Sequence, residues 1–421
     1  MKNRIIARFG YENVALFVLS LVCACTLFDR LTVSFLSPFI ATGLRLSTFQ
    51  IGLLASALST TNAISGYVVG GLSDRSNHRK TYLLACLFAF ALFSSVAGLA
   101  PSFLFLAASR FLTGFGEGPA PGIALSIMSI ESSEHRRGFN LGFLQNFPAF
   151  IIAQFLEPIV IIRVAAAFGW RAGFYMASIP SLCVAFLILW LVRNPKEEMP
   201  IRAAAAQPDI QTPSFAALFR YRNVLICAGI AALMGSWLLL QMTFLPLYLV
   251  REVGLTSTQT GVALSMIGIT GSLASLALPA LSDRIRRKPV MLGAALWGVV
   301  GPLGVLSFHS FGAATASILM GAISMGCIPI YIAIIPSDYL PSRMVAQAIG
   351  FSMAMNELIG GIVSPAVGGK LADLFGLGTP LWMSAAATLL AACLVLFLRE
   401  SCPLHLKSSP ALRAVRTPEQ V

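Results

Sequence analysis

Four carboxylates stand where carboxylates are expensive. Of the seventeen acidic residues in the chain, Asp29, Glu117, Glu157 and Glu357 fall well inside long apolar runs, accompanied by two guanidiniums, Arg30 and Arg110. An Asp or Arg at the centre of a membrane helix costs about 2.5–3.5 kcal/mol on insertion scales, so such groups avoid lipid and mark a functional interior by default. Asp29 and Arg30 are adjacent and point about 100° apart on a helix, so both cannot face one groove equally. Arg110 and Glu117 are nearly two turns apart and share a face, separated by about 10 Å along the axis. The two stretches thus offer two carboxylates and two guanidiniums to one half of a central cavity. A guanidinium fork grips a carboxylate bidentately. Desolvation favours the neutral form of an Asp or Glu, which can then carry a proton from one face to the other. These residue types suit a proton-coupled anion carrier. The alternative is that Asp29–Arg110 or Arg30–Glu117 are structural ion pairs between packed helices.

The other polar groups in apolar surroundings are weaker signals. Glu157, beside Pro158 near the outer end of its run, is expected to snorkel to the interface. Glu357 follows Asn356 at mid-run, with Gly360 and Gly361 nearby, and suits coupling or substrate contact, or else a buried hydrogen bond between helices. Gln145, Asn146, Gln241 and Tyr331 could complete a cavity or serve as interhelical hydrogen bonds worth about 0.6 kcal/mol each. Gly114, Gly116 and Gly118 around Glu117 read as a helix-packing motif rather than a phosphate loop, because they neither follow a strand nor open a helix.

The elements that must position these groups are membrane helices. The chain has 421 residues, 57% hydrophobic and 11% charged, with mean hydropathy +0.81. A soluble protein carries about 25% charged residues, and a bilayer core takes about 20 apolar residues per helix. Twelve apolar stretches are legible, at 13–40, 50–72, 81–100, 102–130, 138–162, 170–192, 223–250, 259–281, 289–308, 312–336, 343–371 and 379–398. The fold class expected is an all-α integral membrane protein. The first stretch, after Lys2, Arg4 and Arg8, is too long for a signal peptide and shows no clear cleavage site, so it is expected to be retained. Most Lys and Arg residues map to the N-terminus, alternate loops and the C-terminal tail; Arg45, Arg163, Arg171, Arg251 and Lys370 fall on the other side. The positive-inside rule then puts both termini in the cytoplasm, and the lack of an Asn-x-Ser/Thr sequon fits the inner (plasma) membrane expected for the protein. The net charge of +12 is explained by topology, without nucleic acid as a partner. Cys23, Cys25, Cys86, Cys183, Cys227, Cys327 and Cys393 lie in apolar runs and read as small hydrophobes.

The longest and most polar connection divides the chain into a six-helix bundle at 1–193, a cytoplasmic linker at 194–222, a second six-helix bundle at 223–399 and a tail at 400–421. An internal repeat supports the division: Gly71-Leu72-Ser73-Asp74-Arg75, trailing into Arg79-Lys80, returns as Ala280-Leu281-Ser282-Asp283-Arg284, trailing into Arg287-Lys288. Asp74 and Asp283, at cytoplasmic helix ends, can pair with Arg75, Arg79 and Arg284 or meet the positive end of a neighbouring helix. Such contacts would latch the halves in one conformation and release them in the other; the alternative is that the arginines only set topology. Repeats with a site at their interface are a transporter design.

This doubled loop signature resembles that of the major facilitator superfamily, over essentially the whole chain, and implies twelve transmembrane helices in two six-helix halves. Phe28-Asp29-Arg30-Leu31, together with Arg110-Phe111-Leu112-Thr113-Gly114-Phe115-Gly116-Glu117-Gly118 and Glu134-His135-Arg136-Arg137-Gly138, resembles the anion:cation symporter branch. A Trp-Pro usual in that branch is missing, and the spinster-like lipid transporters share an Asp-Arg and an Arg…Gly-Glu of the same type. The resemblance implies protonation at Asp29 and Glu117, with Arg30 and Arg110 on the substrate anion. It supports Asn356 rather than Glu357 in the binding site.

The reading is a secondary active transporter, expected to bring in a small organic anion, a carboxylate or sugar acid, with protons by alternating access. The charges lie mostly in the N-terminal half and the apolar wall in the C-terminal half, which suits a substrate with an anionic end and a hydrophobic body. The alternatives are a spinster-like carrier or exporter of lipid or drug, and a non-transporting sensor on the same fold. An enzyme is not expected, since the sequence contains no His-Glu-x-x-His, Gly-x-Ser-x-Gly or Walker loop. With four histidines, two of them, His78 and His135, in basic loops, neither metal nor cofactor is expected. One chain supplies both halves, so a monomer is the simplest assembly.

Overall fold

The computed structural model describes residues 8–76, 78–133, 135–194, 215–340 and 342–400. Within them the chain makes twelve helical passages: Tyr11–Gly43, Thr48–Arg75, Arg79–Ala97, 103–131, Arg137–Phe168, Trp170–Leu191, Arg222–Arg251, Ser257–Ile285, Arg287–Ser307, Phe311–Tyr339, 342–375 and Thr379–Leu396. They are called the first to twelfth helices below. Ten of them are long and apolar enough to cross a bilayer. The second is diluted by Ser, Thr, Asn and Gly; the fourth breaks at Gly118 into Phe103–Glu117 and Pro119–Glu131, where Pro119 brings no N–H to the ladder. No strand occurs among the described residues. Most of the expected linker (195–214) and most of the tail (401–421) lie outside the described residues.

The repeat extends beyond the loop signature. The second helix opens on a capping box of Ser47 and Gln50, and the eighth on one of Thr256 and Gln259. In each, the cap hydroxyl accepts from the N3 amide while the glutamine side chain returns to the cap N–H. Both boxes stand at the start of the second helix of their half.

The halves meet at one end and part at the other. Near the connections 44–47 and 376–378, the second helix runs along the eleventh: Ser56 Oγ donates to the Ile362 carbonyl at 2.7 Å, and a Cβ on Gly369 would stand 2.6 Å from the Thr48 carbonyl oxygen. The fifth and eighth helices close the other side of this end, where a Cβ on Gly268 would lie 2.6 Å from the Gln154 carbonyl carbon. Glycine is required at both places because two backbones touch. Toward the repeat loops the helices diverge. Tyr67 is 86% exposed, and Gly70 and Gly71 have nothing within contact distance of an added Cβ. A groove of about 600 Å³, lined by Phe139, Phe143, Phe150, Leu276, Pro279 and Pro329, opens there between the fifth and eighth helices.

Three helices change pitch within their length. Phe150–Leu156, Ile330–Ile334 and Asn356–Val363 are π-helical, and such bulges are frequent at functional sites because they re-aim side chains within an otherwise regular helix.

Candidate functional site

Asp29 and Arg30 leave the first helix in different directions, as adjacent residues must, and each finds its own partner. Asp29 turns into the N-terminal half, where it is fully buried. Its Oδ2 accepts from Arg110 Nη1 at 2.9 Å, its backbone carbonyl accepts from Arg110 Nη2 at 3.0 Å, and its Oδ1 accepts from Ser94 Oγ. Arg110 is equally buried, its guanidinium 5.9 Å from the ring centre of Phe174. The two groups therefore neutralise each other inside the bundle. This is the Asp29–Arg110 pair named as the alternative, in place of the expectation that both would face the central cavity; the angle between Asp29 and its neighbour is the reason.

Arg30 turns the other way, toward the C-terminal half. Its Nη2 donates to Glu357 Oε2 at 2.9 Å and to Ser59 Oγ at 3.2 Å. Arg30 and Glu357 keep about a fifth of their side-chain surface open (20% and 21%), so this pair, unlike Asp29–Arg110, borders accessible space. It ties the first helix to the eleventh across 327 residues of sequence. Glu357 opens the π-helical stretch of the eleventh helix, and Gly361 leaves room for its carboxylate beside Ser59.

Glu117 is buried beside the second helix. Asn62 Nδ2 donates to its Oε1 at 3.3 Å, and its Oε2 has no hydrogen-bond partner. The surrounding glycines act as the packing motif expected of them: Gly114 meets Thr61, Gly116 meets Phe90 and Gly118 meets Asn62. Glu157 does not snorkel. It is fully buried, with its Oε1 3.1 Å from Thr32 Oγ1. The helix runs on to Phe168 instead of ending at 162, so Glu157 lies some eleven residues, about 16 Å of helix rise, inside that end.

The weaker candidates disperse. Gln241 is buried and donates to its own helix at the Trp237 carbonyl, 3.3 Å away, with Gly301 of the ninth helix against its other end. Tyr331 is buried in the C-terminal core with Met325 and Cys327. Gln145 is exposed near the groove; the Asn146 side chain lies outside the described residues. The Asn356 amide packs on Gly235 of the seventh helix, within its own half.

In the second repeat loop the charges gather around Arg287. Asp283 pairs with Arg287, whose Nε also reaches Asp338 Oδ2 at 3.3 Å and whose backbone N–H donates to Glu400 Oε1 at 2.9 Å. This cluster binds the C-terminal half to itself, centred on Arg287 rather than Arg284, which is exposed. Arg79 is half-buried at the start of the third helix; the side chains of Asp74 and Arg75 lie outside the described residues. The i, i+4 spacing of Asp283 and Arg287 was the available signal for the pair. At the opposite end a residue that sequence reasoning passed over joins the halves: Asp373, on the eleventh helix, accepts from the Thr48 N–H at 2.8 Å and the Phe49 N–H at 3.1 Å. It caps the second helix from across the interface, where the helix dipole favours a carboxylate. The small-residue run Gly368-Gly369 just before it was the one hint of such a close approach.

No group of His, Cys, Asp and Glu able to hold a metal occurs among the described residues.

The family model described as Major Facilitator Superfamily matches residues 19–245 and 225–419. A probable sulfoacetate transporter of Cupriavidus necator is 26% identical, with 98% of this chain and 98% of that protein covered. A hexuronate transporter of Bacillus subtilis is 28% identical over 83% of this chain and 85% of its own length. Among solved structures, a bacterial homologue of the human lysosomal transporter Spinster superposes with a TM-score of 0.72 at 16% identity, covering 92% of this chain and 95% of that one.

Proposed function

The chain belongs to the Major Facilitator Superfamily and is a secondary transporter, and from that premise we propose that it carries an organic anion, a carboxylate or sugar acid, together with protons by alternating access. The observation that carries this reading is the Arg30–Glu357 contact. Arg30 is the guanidinium that borders accessible space between the halves, and its hydrogen bond to Glu357 is the bond a substrate carboxylate would make in its place. Exchange of one carboxylate for another costs little charge separation, so the site can load an anion without burying an unpaired Arg. Glu357 then loses its cation and becomes neutral by taking a proton, which is a direct way for anion and proton binding to favour each other. Glu117, buried with one oxygen unpartnered, is the other carboxyl that suits protonation in this conformation. Asp29 joins the cycle when Arg110 releases it. The relatives named for sulfoacetate and hexuronate transport support an anionic substrate class.

With both termini cytoplasmic, the end that is open faces the cytoplasm, and the contacts of Asp373, Gly369 and Gly268 seal the outside. The domain reading follows the same lines: two six-helix bundles rocking about a site at their interface, in a single chain that needs no partner copy.

The test is calorimetric titration of purified protein with sugar acids, short carboxylates and aromatic acids, with amphiphiles alongside. The proposal expects saturable binding of one acid class, lost in Arg30→Ala. Binding confined to amphiphiles and indifferent to Arg30 would instead favour a lipid or drug carrier, for which the apolar groove between the fifth and eighth helices would be the entrance.

A further inference from the structure

Two interior carboxyls, Glu117 and Glu157, have no cation within ion-pair distance among the described residues, and Glu157 is enclosed by three helices. Its Oε2 is buried with no partner. Its Oε1 is 3.1 Å from the Thr32 hydroxyl oxygen, which is also 3.0 Å from the Phe28 carbonyl oxygen. A hydroxyl has one proton to donate, and a carbonyl oxygen can only accept. Both contacts are full two-centre hydrogen bonds at once in one arrangement: Thr32 donates to Phe28, and Glu157 donates to Thr32. That arrangement requires the acid form. An ionised Glu157 would have to share the single Thr32 proton with the Phe28 carbonyl and hold a buried charge with one oxygen unsolvated, a combination that is strongly unfavourable.

The charged groups facing Glu157 are Asp29 of the first helix and Arg110 of the fourth, and these are already paired with each other. The sixth and eighth helices also pack against the segment Glu157–Phe168 that it opens. Among the described residues, their ionisable side chains, such as Arg171, Tyr175, Asp283 and Arg284, stand toward the helix ends and are not among its charged neighbours. The next residue, Pro158, lies against the eighth helix, where a Cβ on Gly261 would be 2.8 Å from the Pro158 carbonyl oxygen. Glu157 is therefore beneath the seam by which the fifth and eighth helices close one end of the molecule.

We propose that Glu157 is a proton-binding site of the transport cycle, separate from Asp29 and Glu117, and that the fifth–eighth seam closes over it only in the neutral form. When the seam parts, the carboxylate is hydrated and takes one proton from hydronium, leaving water. When the seam is closed, the acid donates to Thr32. The proton leaves by transfer to the Asp29 carboxylate once Arg110 has released it, since Asp29 lies one turn before Thr32 on the same helix; from Asp29 it passes to water on the open side. One proton enters and one leaves per cycle, in addition to any carried by Glu117. This rests on the proton-coupled reading above.

The experiment is the proton-to-anion ratio from reversal potentials in proteoliposomes, for the wild type and for Glu157→Gln, whose amide can still donate to Thr32. The proposal expects the ratio to fall by one proton while anion counterflow, which needs no net proton movement, stays within about twofold. An unchanged ratio with counterflow intact overturns it. Wild-type protein that exchanges anion without moving protons would instead sink the coupled reading itself, so the two failures are distinguishable. Infrared difference spectra of the purified protein provide a readout that does not depend on transport. A protonated-carboxyl carbonyl band at neutral pH, absent in Glu157→Gln and shifted in Thr32→Val, is expected; no band assignable to Glu157 means the group is ionised and overturns the proposal.

Discussion

The two halves share a fold and an internal repeat, yet their interiors are built on opposite principles. The N-terminal half buries Asp29, Arg110, Glu117 and Glu157 among its helices. In the C-terminal half the corresponding interior is apolar, built around Trp237, Phe244 and Tyr331. The charge there is at the rim: Glu357 facing Arg30, Asp373 capping the second helix from the eleventh, and Arg287 with its acidic partners near the repeat loop. Buried charge is costly and is retained where it is used. On the proposed reading, most of the proton chemistry falls to the N-terminal half, with Glu357 as the C-terminal half's share of it. That leaves the C-terminal half as an apolar wall that contributes single carboxylates at the interface, one in the middle and one at the closed end.

The sharpest way to break this comparison is to unbalance the N-terminal interior. Arg110→Ala leaves Asp29 buried without its cation and is expected to cost about 3–5 kcal/mol and to abolish transport. The double variant Asp29→Ala with Arg110→Ala should recover part of the lost thermal stability in detergent but no transport. Equal stability of the single and double variants would mean that the pair is not the unit described here. Next in size is Arg30→Lys, in which a point charge replaces the fork. Apparent anion affinity should fall about tenfold, near 1.4 kcal/mol, with little change in melting temperature because the side chain is partly open. Glu357→Gln sharpens the interface side of the comparison by removing the carboxylate that competes for Arg30. Anion binding should tighten several-fold and lose pH dependence, and weaker binding would show that Glu357 holds substrate rather than standing in for it. The smallest effect is at the closed end. Asp373→Asn weakens a helix cap worth about 1 kcal/mol and should shift the population about fivefold toward the conformation open at that end, read as labelling of a cysteine placed at Gln50 on the second helix.

The architecture was legible because hydropathy and loop charge report on the bilayer, and the bilayer acts on each helix separately. All twelve passages appear near their expected places, and the repeat at Asp74 and Asp283 marked the two halves. What the sequence could not convey is the choice of partner. Arg30 had Glu117 as a plausible partner three helices away, and its actual one is 327 residues distant, since only the packed halves bring the first helix to the eleventh. Glu157 was misplaced for a local reason: the apolar run seemed to end soon after it, whereas Arg163 sits within a helix that continues to Phe168. The π-helical stretches at Phe150–Leu156, Ile330–Ile334 and Asn356–Val363 have no propensity signature, because they arise from packing between helices. Gln241 and Tyr331 were chosen as polar groups in apolar runs; burial in the C-terminal core satisfies that pattern as well as a cavity would.

The central claim, that buried carboxyls of the N-terminal half couple protons to anion movement, is tested most directly by comparing two modes of transport in Glu117→Gln. In proteoliposomes loaded with a saturating acid, exchange against external labelled acid needs only binding and rocking, whereas accumulation against a gradient needs proton release. The account predicts that exchange persists while accumulation driven by a pH gradient falls well below the wild-type level. Accumulation at the wild-type level in that variant would contradict it.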